Sequence, residues 1–525
     1  MINKNSMKEI LFLFLVYTVS SAFLVLNFDG VYWDGWIAYN QTLSSQKAFF
    51  NEFNNDIFYQ FYLFMHEIGN GLLVYRVFVF LAYFLTSLAI FSILNTIKEL
   101  SQTDVFYIVV FYLLMPIISS RVSVSIIPFF FPVLIFFISF LLLAKYLKND
   151  FHLLRPIILI GFFASFYTNS ILVFYATVML YIFYIKFDFS FSIQNVKKFF
   201  LRYLDFIVLP IVFFLIKVIY FKPTGLYATY NTVGEDSIFK VIFQLVKSLD
   251  SALFDVLHQA FYITFPFWLA LVVIIFLILK KVKESSEIYI LNDHSKKFLL
   301  FGFLLFLLAV FPYVAVSKLP RVDGFESRFQ LLTPLGLAFI FYFGINIIVK
   351  YFNFDKKIKV ILLVILVFSF VTKNISDYYK FQIDNLYMTS IMMNFKQSKA
   401  IEANTTFILN NNLREKLVYK RNPPFYEWTG ILKKAFGNDK RLMVSYGQYK
   451  KLDGIRKIQE YEHYNFFNWI EKKPVLVTIS KNYKQRVTDR VLLKLYLLKF
   501  HDYQKYLNEV KKLTIVMTED FKEMT

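Results

Sequence analysis

Ile126–Ala144, IIPFFFPVLIFFISFLLLA, holds no charged residue in 19 positions. A helix needs roughly 20 mostly apolar residues to cross the hydrocarbon core of a bilayer. The stretch ends at Lys145, and similar apolar runs, separated by short Lys-rich segments, recur along the chain. This pattern predicts a polytopic α-helical membrane protein.

The composition excludes several other classes of protein. The 525 residues are 57% hydrophobic, 21% aromatic and 18% charged, whereas soluble domains hold about a quarter charged residues. A soluble enzyme, a disordered chain and a coiled coil are therefore excluded. The chain has no cysteine, so disulfides, cysteine nucleophiles and cysteine-ligated metals are excluded too. We expect the net charge of +20 to reflect topology and membrane lipid contact, not nucleic acid.

The apolar runs predict about eleven transmembrane helices. The run 156–185 is interrupted by the polar segment Ser165–Ser170, and we interpret it as a hairpin of two short helices. The first run lacks a small-residue cleavage site, so we predict a span there and not a signal peptide. The other predicted spans are 10–26, 72–94, 105–118, 126–144, 203–221, 258–279, 298–316, 331–349 and 358–372.

The distribution of Lys and Arg predicts the orientation. With the N-terminus in the cytoplasm, the cytoplasmic connections hold 19 basic residues and the outer ones, although longer, hold 8. The first outer loop, 27–71, has one Lys against five acids. The positive-inside rule therefore favours a cytoplasmic N-terminus.

The character of the chain changes after residue 372. Residues 373–525 contain 28 Lys and Arg and 16 Asp and Glu, with short β-like runs and a helical stretch near 488–512. We divide the chain into a transmembrane domain (1–372), an amphipathic connecting helix (373–400) and a small extramembrane α/β domain (401–525). Eleven spans place this last domain outside, whereas its basic charge, or one miscounted span, would favour the cytoplasm.

The first outer loop begins Asn27-Phe28-Asp29-Gly30-Val31-Tyr32-Trp33-Asp34-Gly35-Trp36. Asp29 and Asp34 are two carboxylates at the membrane surface, and either could act as a general base or bind a divalent cation. Trp33 and Trp36 offer flat faces to a sugar ring. The alternative is an ordinary interfacial aromatic belt beside solvated acids.

A second polar stretch, Ser327-Arg328-Phe329-Gln330, lies at the mouth of an apolar helix on the predicted outer side. A guanidinium there could bind a phosphate and stabilise the charge of a leaving group. The alternative is an arginine that snorkels at a helix end. Arg121, in another outer turn, could be a second phosphate contact or a topological charge.

Other polar residues are weaker candidates. His66 and Glu67 could bind a metal or carry protons, but such pairs are more often interfacial. Tyr167 and Asn169, at the tip of the hairpin, could hydrogen-bond a sugar or cap a helix. No P-loop, GxGxxG, HExxH or GxSxG motif occurs in the required context.

The acidic first loop, the Phe-rich helical body, the late outward arginine and the trailing domain together resemble the C-type membrane glycosyltransferases, the GT-C superfamily. The resemblance covers the organisation of the whole chain, and its specific motifs are Asp29…Asp34 and Ser-Arg-Phe-Gln at 327–330. Many members have adjacent acids, whereas here four residues separate them. The counterpart is therefore either Asp29 or Asp34, and we favour Asp34 because the tryptophans flank it.

The resemblance implies an inverting transferase that moves a sugar from a polyprenyl-phosphate donor to a glycan, lipid or protein acceptor. Asp34 would be the base, Arg328 would hold the donor phosphate, and Asp29 would support them or bind a divalent cation such as Mg²⁺ or Mn²⁺. We expect the carboxylates of Asp34 and Asp29 and the guanidinium of Arg328 to line one outward-opening cavity within roughly 10–15 Å. This separation would leave room for a phospho-sugar between base and cation. The predicted substrate contacts are Arg328, Arg121, Trp33, Trp36, Gln330, Tyr167 and Asn169.

Three other functions stay open from the sequence. A lipid-linked polysaccharide polymerase or ligase would share the arginine but lack the early acidic loop. A flippase or exporter would need charged residues deep in the bundle, where Lys217 is the main candidate. A receptor-like protein would use the C-terminal domain to bind a partner. The Phe-, Lys-, Asn- and Ile-rich composition favours a bacterial plasma membrane.

Overall fold

The computed structural model describes residues 4–39, 43–52, 56–68, 71–224, 228, 238–281, 294–460 and 468–522. These residues form a helical body followed by a small mixed domain. The α-helices of the body are α1 (Lys4–Leu26), α2 (Gly35–Tyr39), α3 (Leu43–Glu52), α4 (Asp56–Glu67), α5 (Gly71–Leu94), α6 (Gln102–Leu114), α7 (Ile127–Asn149), α8 (Leu154–Ser165), α9 (Ser170–Phe174), α10 (Ala176–Phe187), α11 (Ile193–Arg202), α12 (Leu204–Tyr220), α13 (Ile238–Asp250), α14 (Val256–Thr264), α15 (Trp268–Lys281), α16 (Ser295–Val314), α17 (Thr333–Tyr351) and α18 (Lys356–Gln397).

The C-terminal domain alternates helices with strands. Its α-helices are α19 (Lys399–Ala403), α20 (Phe425–Phe436), α21 (Tyr446–Tyr449), α22 (Leu452–Glu460), α23 (Asp489–His501) and α24 (Tyr503–Lys511). Its strands are β1 (Thr406–Asn411), β2 (Leu442–Ser445), β3 (Val475–Lys481) and β4 (Thr514–Asp520).

The helical body is that of a polytopic membrane protein. Within the described ranges, eight helices are long and apolar enough to cross a bilayer, or nine if the bent pair α11–α12 is one span. Two shorter apolar helices, α6 and α8, have 13 and 12 residues. The polar interruption near residue 167 separates α8 from α9. The polytopic helical class is thus confirmed, whereas the total of eleven spans and the GT-C-like arrangement stay predictions.

One side of the body is apolar and exposed. Only 6% of the most apolar window in Ile238–Lys280 is buried inside the protein. Phe239, Tyr262, Phe265 and Phe276 have exposed fractions of 67 to 79%. An apolar surface this continuous is stable only in contact with lipid or a partner, so α13–α15 form an apolar edge suited to such a contact.

Helix α18 joins the body to the C-terminal domain without a break. The predicted boundary at 372/373 lies inside this single helix of 42 residues, which is roughly 63 Å long. The expected connecting helix 373–400 is therefore the C-terminal part of α18, which ends at Gln397. Three polar residues of this part, Asp377, Gln382 and Asp384, are at most 4% exposed, because body helices and the C-terminal domain pack around them.

The C-terminal domain contains a four-stranded sheet in the order β2-β1-β3-β4. Strands β2, β1 and β3 are parallel, and β4 pairs antiparallel with β3. Right-handed crossovers through helices are the usual connection between parallel strands, and α20 connects β1 to β2. The β-like runs of the sequence, at 406–409, 442–445, 475–478 and 513–517, correspond to β1, β2, β3 and β4.

The C-terminal domain packs on the end of the body that carries the first loop. The Lys499 ammonium lies 2.7 Å from Asp29, and Glu427 accepts a hydrogen bond of 2.8 Å from the Trp33 backbone N–H. This end also carries the loops that follow α6 and α16, which contact each other. Both polar stretches of the sequence therefore lie at one end of the bundle, beside the C-terminal domain.

Candidate functional site

Asp34 and Arg328 meet at this end of the bundle. A guanidinium nitrogen of Arg328 lies 3.8 Å from Oδ2 of Asp34. The Asp34 side chain is 41% exposed and that of Arg328 is 20% exposed. Between Val31 and Ile37, Asp34 is the one residue that is not buried. The two groups are thus accessible from outside and close enough to act on one substrate.

The backbone around Asp34 forms a tight turn into α2. Trp33 has a φ of 49°, a left-handed conformation that is unfavourable for a bulky residue. The N–H of Gly35 donates to the carbonyl of Tyr32 at 3.0 Å, and the Ser123 hydroxyl donates to the same carbonyl at 3.3 Å. This turn directs the Asp34 carboxylate away from the core while its neighbours are buried.

Two aromatic rings hold Arg328. Its guanidinium carbon lies 3.7 Å from the ring centre of Phe325 and 4.7 Å from that of Phe329. Phe325 in turn stacks on Trp33, with ring centres 5.3 Å apart. A second carboxylate, Glu326, lies 3.6 Å from the guanidinium. Cation–π contacts of this kind fix the position of the charge without neutralising it.

A glycine sets the start of the Arg328 segment. The segment Phe325–Gln330 is a 3-10 helix that follows Gly324, whose φ is 68°. Glycine adopts positive φ without the steric cost of a Cβ. The Ser327 hydroxyl accepts a hydrogen bond of 2.9 Å from the N–H of Ser120, which ties the segment to the loop after α6.

The C-terminal domain contributes a side chain to the site. The Tyr426 hydroxyl, at the start of α20, donates a 2.6 Å hydrogen bond to Oδ1 of Asp34. The next residue, Glu427, is buried and accepts from the Trp33 N–H. Arg421 donates to both Glu427 and Asp384. These buried contacts of Arg421 and Glu427 hold α20 against the first loop and against α18.

Burial raises the pKa of Glu427 to about 7, although Arg421 beside it partly opposes the change. One guanidinium is shared here between two carboxylates, so a second negative charge in this buried space is unfavourable.

Lys318 adds a second cation to the site. Its ammonium lies 5.7 Å from the ring centre of Phe329, the ring that also contacts Arg328. Burial, together with the charge of Arg328, lowers the pKa of Lys318 to about 8. The site thus combines two carboxylates, Asp34 and Glu326, with two cations, Arg328 and Lys318.

Asp29 lies in a different environment from Asp34. Lys499 is 2.7 Å from its Oδ2, and the Asn385 side chain donates to its Oδ1 at 2.9 Å. Lys434 lines the same small pocket, and burial lowers the pKa of this lysine. Asp29 therefore takes part in the contact with the C-terminal domain, whereas Asp34 lies beside Arg328 and is partly exposed.

Arg121 is buried, not exposed at an outer turn. It is 1% exposed, and its guanidinium lies 4.6 Å from the ring centre of Tyr83 and 5.6 Å from that of Tyr378. No phosphate can reach it in this conformation. Arg76, which the sequence did not single out, is also buried and donates to the carbonyls of Asn27 and Gly30 at 3.1 and 2.8 Å. It holds the start of the first loop.

Three predicted substrate contacts are largely buried. Trp33 and Trp36 are 8% and 4% exposed, and Gln330 is fully buried. The Gln330 side chain accepts a hydrogen bond of 2.8 Å from Thr333. In this conformation these residues pack beneath the site, and Trp33 stacks on Phe325, the ring that contacts Arg328.

The hairpin tip is linked to the site through Ser170. This serine accepts a 3.0 Å hydrogen bond from Tyr313, whose ring lies 5.1 Å from that of Phe329. Of the two predicted contacts at the tip, Asn169 accepts a hydrogen bond from Lys217, and the Tyr167 ring packs on Phe213.

No metal site of the predicted kind is present among the residues that the structure describes. The described part of the chain contains no group of three His, Asp or Glu side chains that could hold a metal ion. Asp29 is engaged by Lys499 and Asn385. Glu67 is exposed at the end of α4, and the side chain of His66 lies outside what the structure describes.

Comparison with protein families, curated proteins and solved structures gives no match. The functional argument therefore depends on the geometry of this site.

Proposed function

We propose that the protein is a membrane glycosyltransferase that uses a lipid-phosphate sugar as its donor. One observation supports this proposal above all: a guanidinium nitrogen of Arg328 lies 3.8 Å from the Asp34 carboxylate, and both side chains are partly exposed. A carboxylate next to a cation is the combination that such a transfer needs, because one group accepts a proton and the other stabilises a departing phosphate.

In the proposed reaction, Asp34 accepts the proton of an acceptor hydroxyl. The hydroxyl oxygen attacks the anomeric carbon, the bond from this carbon to the phosphate oxygen breaks, and its electron pair leaves with the lipid phosphate. Arg328 stabilises that phosphate. Oδ1 of Asp34 is occupied by Tyr426, so we assign the basic role to Oδ2, which faces Arg328.

The separation of 3.8 Å leaves no room for a sugar between the two groups. The donor must therefore bind beside the pair or displace the guanidinium from Asp34. Both carboxylate contacts of Arg328 are longer than 3.5 Å, beyond ordinary hydrogen-bonding distance, so a phosphate that accepts two direct hydrogen bonds would replace them favourably.

The distribution of buried charge supports a transferase over an exporter. An exporter requires a polar path across the bundle. The buried charges Arg76, Arg121 and Lys373 contact residues at the end beside the C-terminal domain. Two further buried charges, Asp104 and Lys359, meet at the Tyr342 hydroxyl near the opposite end. Farther from that end, the bundle encloses a mainly apolar cavity.

A transfer assay tests the proposal. Proteoliposomes receive a panel of polyprenyl-phosphate hexoses with a radiolabelled sugar, together with envelope glycans and lipids from cells that lack this protein. We expect label to move from the donor to an acceptor. Asp34→Asn and Arg328→Ala should lower this rate by about 10²- to 10³-fold, as removal of a single oxyanion donor does.

Two matched variants control for indirect effects. Arg321→Ala removes an exposed arginine of the same loop, and Asp453→Asn removes an acid that is 93% exposed; both should transfer at the normal rate. Label that crosses the membrane while still bound to its lipid would instead indicate an exporter. Unchanged transfer in Arg328→Ala would refute the role of this arginine.

A further inference from the structure

An elongated cavity of about 340 Å³ lies between α5, α7, α10, α16 and α17. Its wall is formed almost entirely by apolar side chains, among them Phe137, Phe174, Phe301, Leu305 and Phe339. One end reaches the termini of helices that lie away from the C-terminal domain, and that rim is polar. The cavity is separate from the site of Asp34 and Arg328.

The shape of the cavity suits a single hydrocarbon chain. Along α16 its lining extends from Lys297 to Leu305, which is roughly 12 Å of helix. A volume of about 340 Å³ over this length leaves room for a hydrocarbon chain. An apolar tube of this kind excludes sugars, because their hydroxyls would lose hydrogen bonds to water without replacement.

The rim of the cavity carries both signs of charge. Glu99 and Asp188 line it together with His294 and Lys297. Tyr184, also at the rim, donates a hydrogen bond to Glu99. Lys297 and Asp188 are exposed, so both are available to a group at the entrance. A ligand headgroup that holds a phosphate and an amine would find a partner for each charge.

We propose that this cavity binds one acyl chain of a zwitterionic phospholipid with a phosphoethanolamine headgroup. The chain occupies the apolar tube, the phosphate contacts Lys297, and the amine contacts Asp188 and Glu99. The second acyl chain stays in the bilayer. An anionic headgroup, such as phosphoglycerol or the phosphate of a polyprenyl carrier, fits less well because the two carboxylates of the rim repel it.

Retention of lipid during purification tests the proposal. The full-length protein is reconstituted into vesicles of equal parts phosphatidylethanolamine and phosphatidylglycerol with a small fraction of polyprenyl phosphate. It is then extracted into detergent, and the lipids that remain bound are quantified by mass spectrometry. We expect phosphatidylethanolamine to be enriched several-fold over phosphatidylglycerol and over polyprenyl phosphate.

A variant that fills the tube should lose the lipid. Leu180→Trp places a large ring into the cavity wall and should reduce retained phosphatidylethanolamine several-fold. The control Leu300→Trp changes a residue of α16 that is 68% exposed and should retain it. Equal retention in the two variants would overturn the proposal that the chain lies in this cavity.

Rim variants supply a measurement that is independent of core packing. Asp188 has a φ of 47°, which Asn tolerates, so Asp188→Asn keeps the backbone and removes the charge. It should abolish the preference for phosphatidylethanolamine, Lys297→Gln should lower retention of both phospholipids, and Lys296→Gln should change neither. Wild-type preference for phosphatidylglycerol or polyprenyl phosphate would overturn the headgroup assignment.

Discussion

The Tyr426 hydroxyl donates a 2.6 Å hydrogen bond to the Asp34 carboxylate across 392 positions of sequence. This contact joins the C-terminal domain to the first loop at the proposed catalytic group. Glu427, the next residue, fixes the backbone of Trp33 in the same loop. The C-terminal domain therefore completes the site instead of only packing near it, and its contacts should affect both activity and stability.

Loss of the Tyr426 hydroxyl should slow transfer moderately. A hydrogen bond to a charged group contributes about 1.5–3 kcal/mol, and the partial exposure of Asp34 reduces this to about 1 kcal/mol. Tyr426→Phe should therefore lower the transfer rate five- to tenfold with little change in thermal stability. Tyr483→Phe, on an exposed tyrosine of the same domain, is the control. A normal rate in Tyr426→Phe would show that Asp34 needs no such orientation.

The pKa of Glu427 should make the stability of the protein depend on pH. Burial raises this pKa from 4.5 to about 7, so the folded protein holds a proton there that the unfolded chain releases. The stabilisation of the folded protein by protonation of Glu427 is fully present below pH 4.5 and is lost as the pH rises through about 7. The melting temperature in detergent should fall between pH 5 and 8, and Glu427→Gln should reduce that fall.

The control for this measurement is Glu519→Gln, an exposed acid on β4. This variant should follow the wild-type curve. If Glu427→Gln did so as well, the pH dependence would come from other groups, and Glu427 would be ionised through its contact with Arg421 in the folded protein.

Lys318 should give donor binding its own pH dependence. Its pKa is lowered to about 8 by burial, with a contribution from Arg328, so its positive charge is present below this pH and is lost above it. The apparent KM for the lipid-phosphate donor should rise as the pH increases through about 8, because one of the two cations is then neutral. Lys318→Met should have a high KM that no longer changes over this range.

Arg321→Met serves as the matched control, since Arg321 is an exposed cation of the same loop. Its KM should keep the wild-type change near pH 8. A Lys318→Met variant that also kept this change would refute a contact between Lys318 and the donor phosphate.

The sequence predicted the parts of the molecule that local patterns determine. Apolar runs such as Ile126–Ala144 identified the helical membrane body, and the loops after two outward-directed spans placed Asp34 and Arg328 at the same end. The two residues do lie at the same end, but their distance of 3.8 Å is shorter than the expected separation and leaves no room for a sugar between them. Their catalytic roles stay predictions. The separation of Asp29 from Asp34 could not be predicted, because it depends on Lys499, a residue of the distant α23.

The remaining residues of the site lack a local pattern. Tyr426 lies in a stretch with no catalytic motif, and only the packing of α20 on the first loop brings it to Asp34. For Arg121 the local pattern was misleading. A lone charged residue in a short loop usually lies at the surface, whereas this arginine is buried among aromatic rings. The continuity of α18 across residue 372 could not be predicted, because the apolar run ends there and the sequence does not show that the polar residues that follow are buried.

Close packing of α16 on α17 gives a prediction about stability. A Cβ at Gly336 would lie 2.6 Å from the backbone nitrogen of Phe306 and 2.8 Å from the carbonyl oxygen of Gly302. Small residues allow membrane helices to approach closely. Gly336→Ala should separate these helices and destabilise the protein, with a cost of about 1–3 kcal/mol from overpacking.

Gly344, on the same helix, is the matched control because a Cβ there meets nothing within 4 Å. Gly344→Ala should be neutral or stabilising by up to about 1 kcal/mol, since alanine favours helix over glycine. Thermal unfolding in detergent compares the two variants. Equal melting temperatures would show that α16 and α17 do not pack at Gly336. A lower melting temperature for Gly336→Ala alone would confirm that α16 and α17 approach closely at this glycine.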